Sequence, residues 1–272
     1  MSRKRRKRGI PQGSTSSSPP GLGRNQRRLV VTVVSEGKTE RNYLERVHDE
    51  AGQDSRFVLH FDPQTQPGKG LKPSEVVNRA VDVQYRITRS AQEGDEEEGD
   101  GGPDQYVWAV FDRDQHNDID EAMRTASKNG IEVAFSTPSF DLWLLLHFAP
   151  GLPANVSSEN NQLVRKLNAV RHFERYGRSS GGKGSDSKPK TLNDAQLTAL
   201  WAKRDNAVRL ARQLVDRCSR GLCRASSTKA EQGHHWSCDP LKRDTQTDFY
   251  RLLELLTDDG RGRAGRERRG DG

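Results

Sequence analysis

The sequence has few of the residues that build disulfide frameworks or membrane spans. Its 272 residues include three cysteines, Cys218, Cys223 and Cys238, an odd set that suits a reducing compartment better than paired disulfides. No apolar run approaches the length of a membrane span, and the basic start lacks the apolar region of a signal peptide. We therefore expect a cytoplasmic protein that does not associate with a membrane.

Apolar residues are also scarce, at 31% of the chain, and charged residues are equally numerous at 31%. A chain of this composition must leave a good part of its length solvated instead of packed. Segments of low complexity account for that part. We predict a disordered basic arm over residues 1–28, a disordered tail over 258–272, and flexible loops over 93–104 and 177–189.

The positive charge is concentrated in the arm. Of the formal charge of +7, residues 1–28 carry +9 and residues 258–272 carry +1, which leaves −3 for the rest. The folded part is therefore not globally basic. The arm either binds the phosphates of nucleic acid by counterion release or is a solvated extension, and composition leaves both readings open. Its first basic cluster is Arg3, Lys4, Arg5, Arg6, Lys7 and Arg8.

Strands and helices alternate over residues 29–148. Residues 28–34 are a β-branched, nearly continuous apolar run, which is typical of a strand buried on both faces. Further strands are predicted at 57–61, 106–111 and 131–135, and helices at 39–51, 73–87 and 119–128. Thr39 is the predicted N-cap of the first helix, and Gly130 is predicted to end the third. This alternation predicts an α/β, Rossmann-like parallel sheet with helices on both faces.

The second half of the chain has a different pattern. Apolar residues recur three or four positions apart in 140–148, 162–176, 192–218 and 247–256, which indicates helices. We therefore predict a helical extension over residues 149–257 that packs on the sheet.

Acidic residues follow the first and third predicted strands. Glu36 and Glu40 come after the first strand, and Asp112 and Asp114 come directly after the third. Ligands of open parallel sheets bind beyond the carboxyl ends of the strands, so these acids converge if the two strands are neighbours. Such a cluster is costly without a cation, because like charges raise one another's pKa. The pattern predicts one or two Mg²⁺ or Mn²⁺ ions.

A metal held by these acids points to phosphodiester chemistry. It would activate water for attack and offset the charge that develops in the transition state. Glu36 is a candidate to transfer a proton to the leaving group, and Lys38 and Arg113 are candidates to pair with phosphate oxygens. An isolated Asp-x-Asp is more often a turn or cap, and acids are common in the first turn of a helix. Two such motifs at the ends of buried strands favour a functional site.

Three segments carry a family resemblance. They are VVSEGKTERNY at 33–43, VFDRD at 110–114 and STPSFDLWLLLHF at 136–148. Together they resemble the RloB-like family, Toprim-type proteins associated with restriction and abortive-infection loci in prokaryotes. The likeness covers residues 29–148, with a weaker similarity at 245–256.

The resemblance implies a function and a set of metal ligands. In Toprim domains of topoisomerases, primases and related nucleases, a glutamate and an Asp-x-Asp pair bind magnesium and act on phosphodiesters, which implies these roles for Glu36, Asp112 and Asp114. The nuclease branch implies a metal-binding role for Glu40, and position alone suggests Asp141 as a further ligand. The implied protein is a nuclease of anti-phage defence that acts on DNA or RNA, including transfer RNA, beside an ATPase partner.

Other readings of the chain remain open. In one, the acid cluster is vestigial and the protein is a non-catalytic module that binds nucleic acid or an ATPase partner. In another, the Asp-x-Asp belongs to a nucleotide-sugar transferase or an aspartyl-phosphate hydrolase. A hydrolase of that kind carries the pair after its first strand, whereas here the pair follows the third. A homodimer is expected only because symmetric dimers are the commonest oligomers.

Several weaker signals are assigned structural roles. His147, Trp143, Leu144 and Leu146 are predicted to be buried in the core, and Lys190 is predicted to be a solvated loop lysine. The spacing of the remaining metal-capable residues fits no regular zinc pattern, so zinc is not predicted. These residues are Cys218, Cys223, His234, His235 and Cys238.

Overall fold

The computed structural model describes residues 29–51, 57–63, 70–93, 104–153, 160–177, 190–218, 223–225, 232–234, 238–242 and 245–257. Several predicted segments lie outside these residues. They are the basic arm with residues 3–8, the tail and most of both loops. His235 also lies outside them.

A five-stranded sheet forms the centre of the described structure. Its strand order is β2-β1-β3-β4-β7, in which the first four strands are parallel. These four were predicted, each with ends within two residues of those observed. The strands are β1 (Leu29–Ser35), β2 (Phe57–Phe61), β3 (Asp104–Asp112), β4 (Glu132–Thr137) and β7 (Gln246–Thr247). Two further strands, β5 (Arg224–Ala225) and β6 (Gln232–Gly233), pair with each other in a separate ribbon.

Helices cover both faces of the sheet, as the sequence predicts. Alternate residues of each strand face opposite layers, so Val31 and Val33 of β1 belong to one core and Val34 to the other. The second core is formed with α2 (Pro73–Glu93) and α3 (Ile119–Asn129). Gly130 ends α3 in the left-handed conformation at φ 66°, as predicted.

The first core holds the other helices. Tyr43 of α1, Trp143 of α4, Leu210 of α7 and Phe249 of α8 are all buried in it. The described part of residues 149–257 therefore shares one hydrophobic core with the sheet. These helices are α1 (Lys38–Ala51), α4 (Asp141–Leu146), α5 (Asn160–Asn168), α6 (Asp194–Trp201), α7 (Arg204–Asp216) and α8 (Phe249–Thr257).

The structure corrects several sequence predictions. Strand β7 was not predicted; it pairs antiparallel with β4, Thr247 opposite Ser136, and two residues are too few to show an alternating pattern. Thr39 does not cap α1, which begins at Lys38, because the Thr39 hydroxyl donates instead to the carbonyl of Lys190. The helix predicted at 162–176 ends at Asn168, and the one at 192–218 divides into α6 and α7.

None of the helices in the described residues is both long and apolar enough to cross a bilayer.

Candidate metal centre at the ends of β1 and β3

The acids of the two sequence motifs meet because β1 and β3 are neighbours. The strands run parallel with Ser35 opposite Val110, and the Glu36 backbone N–H donates to the Val110 carbonyl at 2.9 Å. This bond continues the strand ladder by one residue. It places Glu36 beside Asp112, the last residue of β3.

Glu36 is held by both of its carboxylate oxygens. Oε2 accepts a hydrogen bond from the Asp112 backbone N–H at 3.2 Å, and Oε1 lies 3.0 Å from His116 Nε2. Burial raises the pKa of Glu36, and the contact with His116 opposes that rise. Glu36 is therefore positioned by the protein while its charge is disfavoured by its surroundings.

Asp112 is buried beside the other acids. Its Oδ2 accepts a hydrogen bond from the Phe140 backbone N–H at 3.1 Å, but no described residue hydrogen-bonds its buried Oδ1. Burial, together with the charges of Glu36, Asp114 and Glu40, raises the pKa of Asp112 well above its usual value. A buried carboxylate oxygen without a described donor is available to bind a cation.

Glu40 supplies a second such oxygen. It is buried in the first turn of α1, and no described residue hydrogen-bonds its Oε2. Burial, followed by the charges of Glu36 and Asp141, raises the pKa of Glu40 to about 7, while Lys190 opposes the rise. Gly37 makes room for this side chain, because a Cβ at that position would lie 2.8 Å from Glu40 Oε2.

Asp114 lies on the solvent side of the cluster. It is exposed, its backbone has a positive φ of 31°, and its N–H donates to the Pro138 carbonyl at 3.0 Å. Aspartate is one of the few residues that enter this region readily, and such conformations are enriched at functional sites. Lys38 is exposed at the start of α1, and Arg113 is partly buried between the two aspartates.

Asp141 has a different environment from the other acids. Its Oδ1 accepts a hydrogen bond from the Tyr176 hydroxyl at 2.7 Å, and its Oδ2 accepts one from Lys190 Nζ at 2.6 Å. Asp141 is 3% exposed and Lys190 is 36% exposed, so this is a largely buried ion pair. Both oxygens of Asp141 therefore have protein donors, which favours a role in positioning Lys190 over the predicted role as a metal ligand.

Sequence reasoning missed His116 and misjudged Lys190. His116 lies two residues after Asp114 in the loop that follows β3, where no periodic pattern marks it. Its closeness in sequence to the Asp-x-Asp motif was the one sign that it could belong to the site. Lys190 was predicted to be solvated, but it contacts Asp141, far away in sequence. His147 is buried as predicted, between the Tyr43 hydroxyl at 2.9 Å and the Trp143 carbonyl at 2.8 Å.

The residues present fit a hard divalent ion. Ligand atoms of Glu36, Asp112 and His116 all lie within 4.8 Å of one another. Two buried carboxylate oxygens in the same cluster, on Asp112 and Glu40, have no hydrogen-bond donor among the described residues. Carboxylate oxygens are the ligands that Mg²⁺ and Mn²⁺ prefer, and one imidazole is compatible with Mn²⁺.

Comparison with known families identifies the chain. The family model described as RloB-like protein matches residues 31–256. The chain belongs to the RloB-like family. Comparisons with curated proteins and with solved structures found no match. The part matched to the RloB-like model contains Glu36, Glu40, Asp112 and His116, whereas the basic arm at residues 1–28 precedes it.

Proposed function

We propose that this RloB-like protein is a Toprim-type, metal-dependent nuclease that hydrolyses phosphodiester bonds of nucleic acid in defence against phage or foreign DNA. The observation that carries the proposal is the meeting of Glu36 and Asp112 at the ends of two adjacent strands. The buried oxygens of Asp112 and Glu40 that no described residue hydrogen-bonds support it, because they are ligand atoms of the kind that a hard cation binds.

The metal would be held mainly by Glu36 and Asp112. Glu40 and Asp114 complete the negative charge around it, and His116 lies within reach as a further ligand. Mg²⁺ or Mn²⁺, as one or two ions, would supply Lewis-acid stabilisation of negative charge on the phosphate and activation of water.

The protein's own groups have separate tasks. Glu36 and His116 form a hydrogen-bonding pair 3.0 Å apart, which suits transfer of a proton to the leaving oxygen. Arg113 and the exposed Lys38 border the cluster and provide positive charge for phosphate oxygens. Lys190, fixed by Asp141 and electrostatically coupled to Asp112, provides a further positive charge near the acids.

The biological role follows the family resemblance. RloB-like proteins associated with restriction and abortive-infection loci imply a defence nuclease and an ATPase partner that restrains or triggers it. The substrate class is nucleic acid, either DNA or RNA including transfer RNA. The basic arm with Arg3–Arg8 would raise affinity for any of these without sequence preference.

Cleavage of a mixed substrate panel tests this function. Purified full-length protein is incubated with DNA, messenger RNA and transfer RNA, with magnesium, with manganese or with neither. The expected result is metal-dependent cleavage of at least one class, lost in Glu36→Gln and kept in Asp82→Asn, which replaces an exposed acid of α2. Nucleic-acid binding without cleavage, equal in wild type and Glu36→Gln, would favour the non-catalytic module instead.

A further inference from the structure

A second group of metal-capable side chains lies away from the acidic cluster. Ligand atoms of Cys218, Cys223, His234 and Cys238 all lie within 4.8 Å of one another. The Sγ atoms of Cys218 and Cys238 are 3.6 Å apart, and His234 Nδ1 is 3.2 Å from Cys223 Sγ and 3.7 Å from Cys238 Sγ. We propose that these four residues form a structural zinc site.

The separations match a tetrahedral zinc centre. Zinc–sulfur bonds of about 2.3 Å and zinc–nitrogen bonds of about 2.0 Å place the ligand atoms of a tetrahedron roughly 3.5–3.8 Å apart. The three distances between the sulfur and nitrogen atoms are close to this range. A disulfide would need its sulfur atoms about 2.05 Å apart, which the Cys218–Cys238 pair does not meet.

The local fold explains how distant residues converge. Strands β5 (Arg224–Ala225) and β6 (Gln232–Gly233) form an antiparallel ribbon in which Arg224 pairs with Gly233. Cys223 precedes β5 and His234 follows β6, so both lie at the same end of the ribbon. Cys218 follows α7 by two residues, and Cys238 precedes the short 3₁₀ helix Pro240–Lys242. Each ligand therefore comes from the end of a separate element.

The surroundings are those of a structural site. All three cysteines are buried, and the His234 side chain is 2% exposed. Four protein ligands fill a tetrahedron and leave no position for a substrate, as in structural and not catalytic zinc sites. His234 Nε2 lies 3.9 Å from Asp248 Oδ1, beyond hydrogen-bond distance, so a carboxylate is near the ring nitrogen that would not bind the metal.

The zinc site would connect the segment that follows α7 to the central sheet. A ribbon with strands of two residues is too short to be stable alone, and zinc coordination contributes folding energy directly. Asp248, behind His234, donates its backbone N–H to the Phe135 carbonyl of β4 at 2.8 Å. Zinc binding would therefore hold α7, the ribbon and the start of α8 in place against β4.

The spacing of the whole group fits no regular zinc pattern, but the spacing within each of two pairs is one that zinc sites use. Cys218 and Cys223 are separated by four residues, and His234 and Cys238 by three, and both intervals occur in structural zinc sites. The sequence does not show that the two pairs meet, because their approach depends on the fold.

Metal analysis of the full-length protein tests the site. After purification under reducing conditions, elemental mass spectrometry is expected to find about one zinc per chain, and a cobalt-substituted sample is expected to show the visible bands of tetrahedral thiolate coordination. Asp248→Asn replaces the carboxylate 3.9 Å from His234 Nε2 and should weaken zinc affinity by no more than about tenfold, without removing a ligand. Cys223→Ser should lose zinc, whereas the control His60→Gln on the exposed part of β2 should keep it.

Three results would overturn the proposal. The first is that the purified protein contains no zinc although it was produced in medium that contains zinc. The second is zinc retained at full occupancy in Cys223→Ser, and the third is an intact mass that reveals a Cys218–Cys238 disulfide. The wild-type cobalt spectrum needs no variant to fold, so the proposal stays testable if Cys223→Ser is insoluble.

Discussion

The backbone N–H of Asp112 donates a hydrogen bond to Oε2 of Glu36 at 3.2 Å. Two acids that are far apart in sequence are thereby fixed to each other at the carboxyl ends of β3 and β1. Strand β3 lies between β1 and β4. Asp112 at its end is therefore contacted by Glu36, which follows β1, and by the Phe140 N–H, which follows β4. This arrangement brings the acids close together, and burial and the neighbouring charges raise the pKa of Asp112.

We predict that Asp112→Asn stabilises the protein when no divalent metal is bound to the acids. The amide keeps an acceptor for the Phe140 N–H and removes a buried carboxyl whose pKa is raised by burial and by neighbouring acids. In buffer without magnesium or manganese, its unfolding free energy should exceed the wild-type value by about 1 kcal/mol. Urea denaturation measures this, and a decrease of similar size would contradict the charge-repulsion argument.

We predict that Gly37→Ala impairs the metal centre with little effect on folding. The new Cβ would lie 2.8 Å from Glu40 Oε2, so the carboxylate must move. Magnesium-dependent cleavage should fall about tenfold, while the melting temperature changes little because only the end of a side chain is displaced. Gly151→Ala is the matched control, since nothing lies within 4 Å of its added Cβ. Equal activity in both variants would show that the position of Glu40 is unimportant.

We predict that Lys190→Met destabilises the fold, because it leaves the buried carboxylate of Asp141 without its cation. Loss of one member of a buried pair costs about 3–5 kcal/mol, and the 36% exposure of Lys190 reduces the expected loss to about 2 kcal/mol. Adding Asp141→Asn should recover part of this stability, as measured by urea denaturation. A double variant less stable than Lys190→Met would contradict the ion-pair explanation.

We predict that His147 makes stability fall as the pH falls. Burial lowers the pKa of His147 from 6.5 to about 3, and the hydrogen bond that its Nδ1–H donates to the Trp143 carbonyl only partly opposes this shift. Between these values the unfolded chain binds a proton that the folded chain does not. The stabilisation is therefore complete above the unfolded pKa and declines below it, by up to about 1.4 kcal/mol per pH unit.

His147→Gln removes this titration and is the comparison for the pH prediction. The difference in unfolding free energy between wild type and His147→Gln should narrow by about 2 kcal/mol between roughly pH 7 and pH 5. A difference that stays constant with pH would mean that His147 is protonated equally in both states.

The sequence predicted the parallel part of the sheet because each of β1 to β4 spans at least five residues and contains an apolar segment. Their ends then located Glu36 and Asp112, since the carboxyl ends of adjacent parallel strands share one edge. Strand β7 escaped prediction because its pairing depends on tertiary contact with β4 and not on its own two residues.

Contacts between distant segments explain the remaining differences. Three contacts could not be predicted because their residues meet only in three dimensions. They are His116 with Glu36, Lys190 with Asp141, and the approach of Cys218 Sγ to Cys238 Sγ. The spacing of residues in the sequence does not show whether the Lys190 side chain contacts Asp141 or extends into solvent. The prediction of Thr39 as a cap failed for the same reason, because its hydroxyl donates to a carbonyl from another part of the chain.

Manganese binding tests the central claim most directly, because it needs neither a substrate nor an activating partner. Full-length wild type, Asp112→Asn, Glu36→Gln and the control Asp82→Asn are titrated with Mn²⁺ and followed by electron paramagnetic resonance. The account predicts one or two sites in wild type and in Asp82→Asn, and an affinity at least about tenfold weaker in the two site variants. Equal Mn²⁺ affinity in all four proteins, or no binding by wild type, would contradict a metal centre at the ends of β1 and β3.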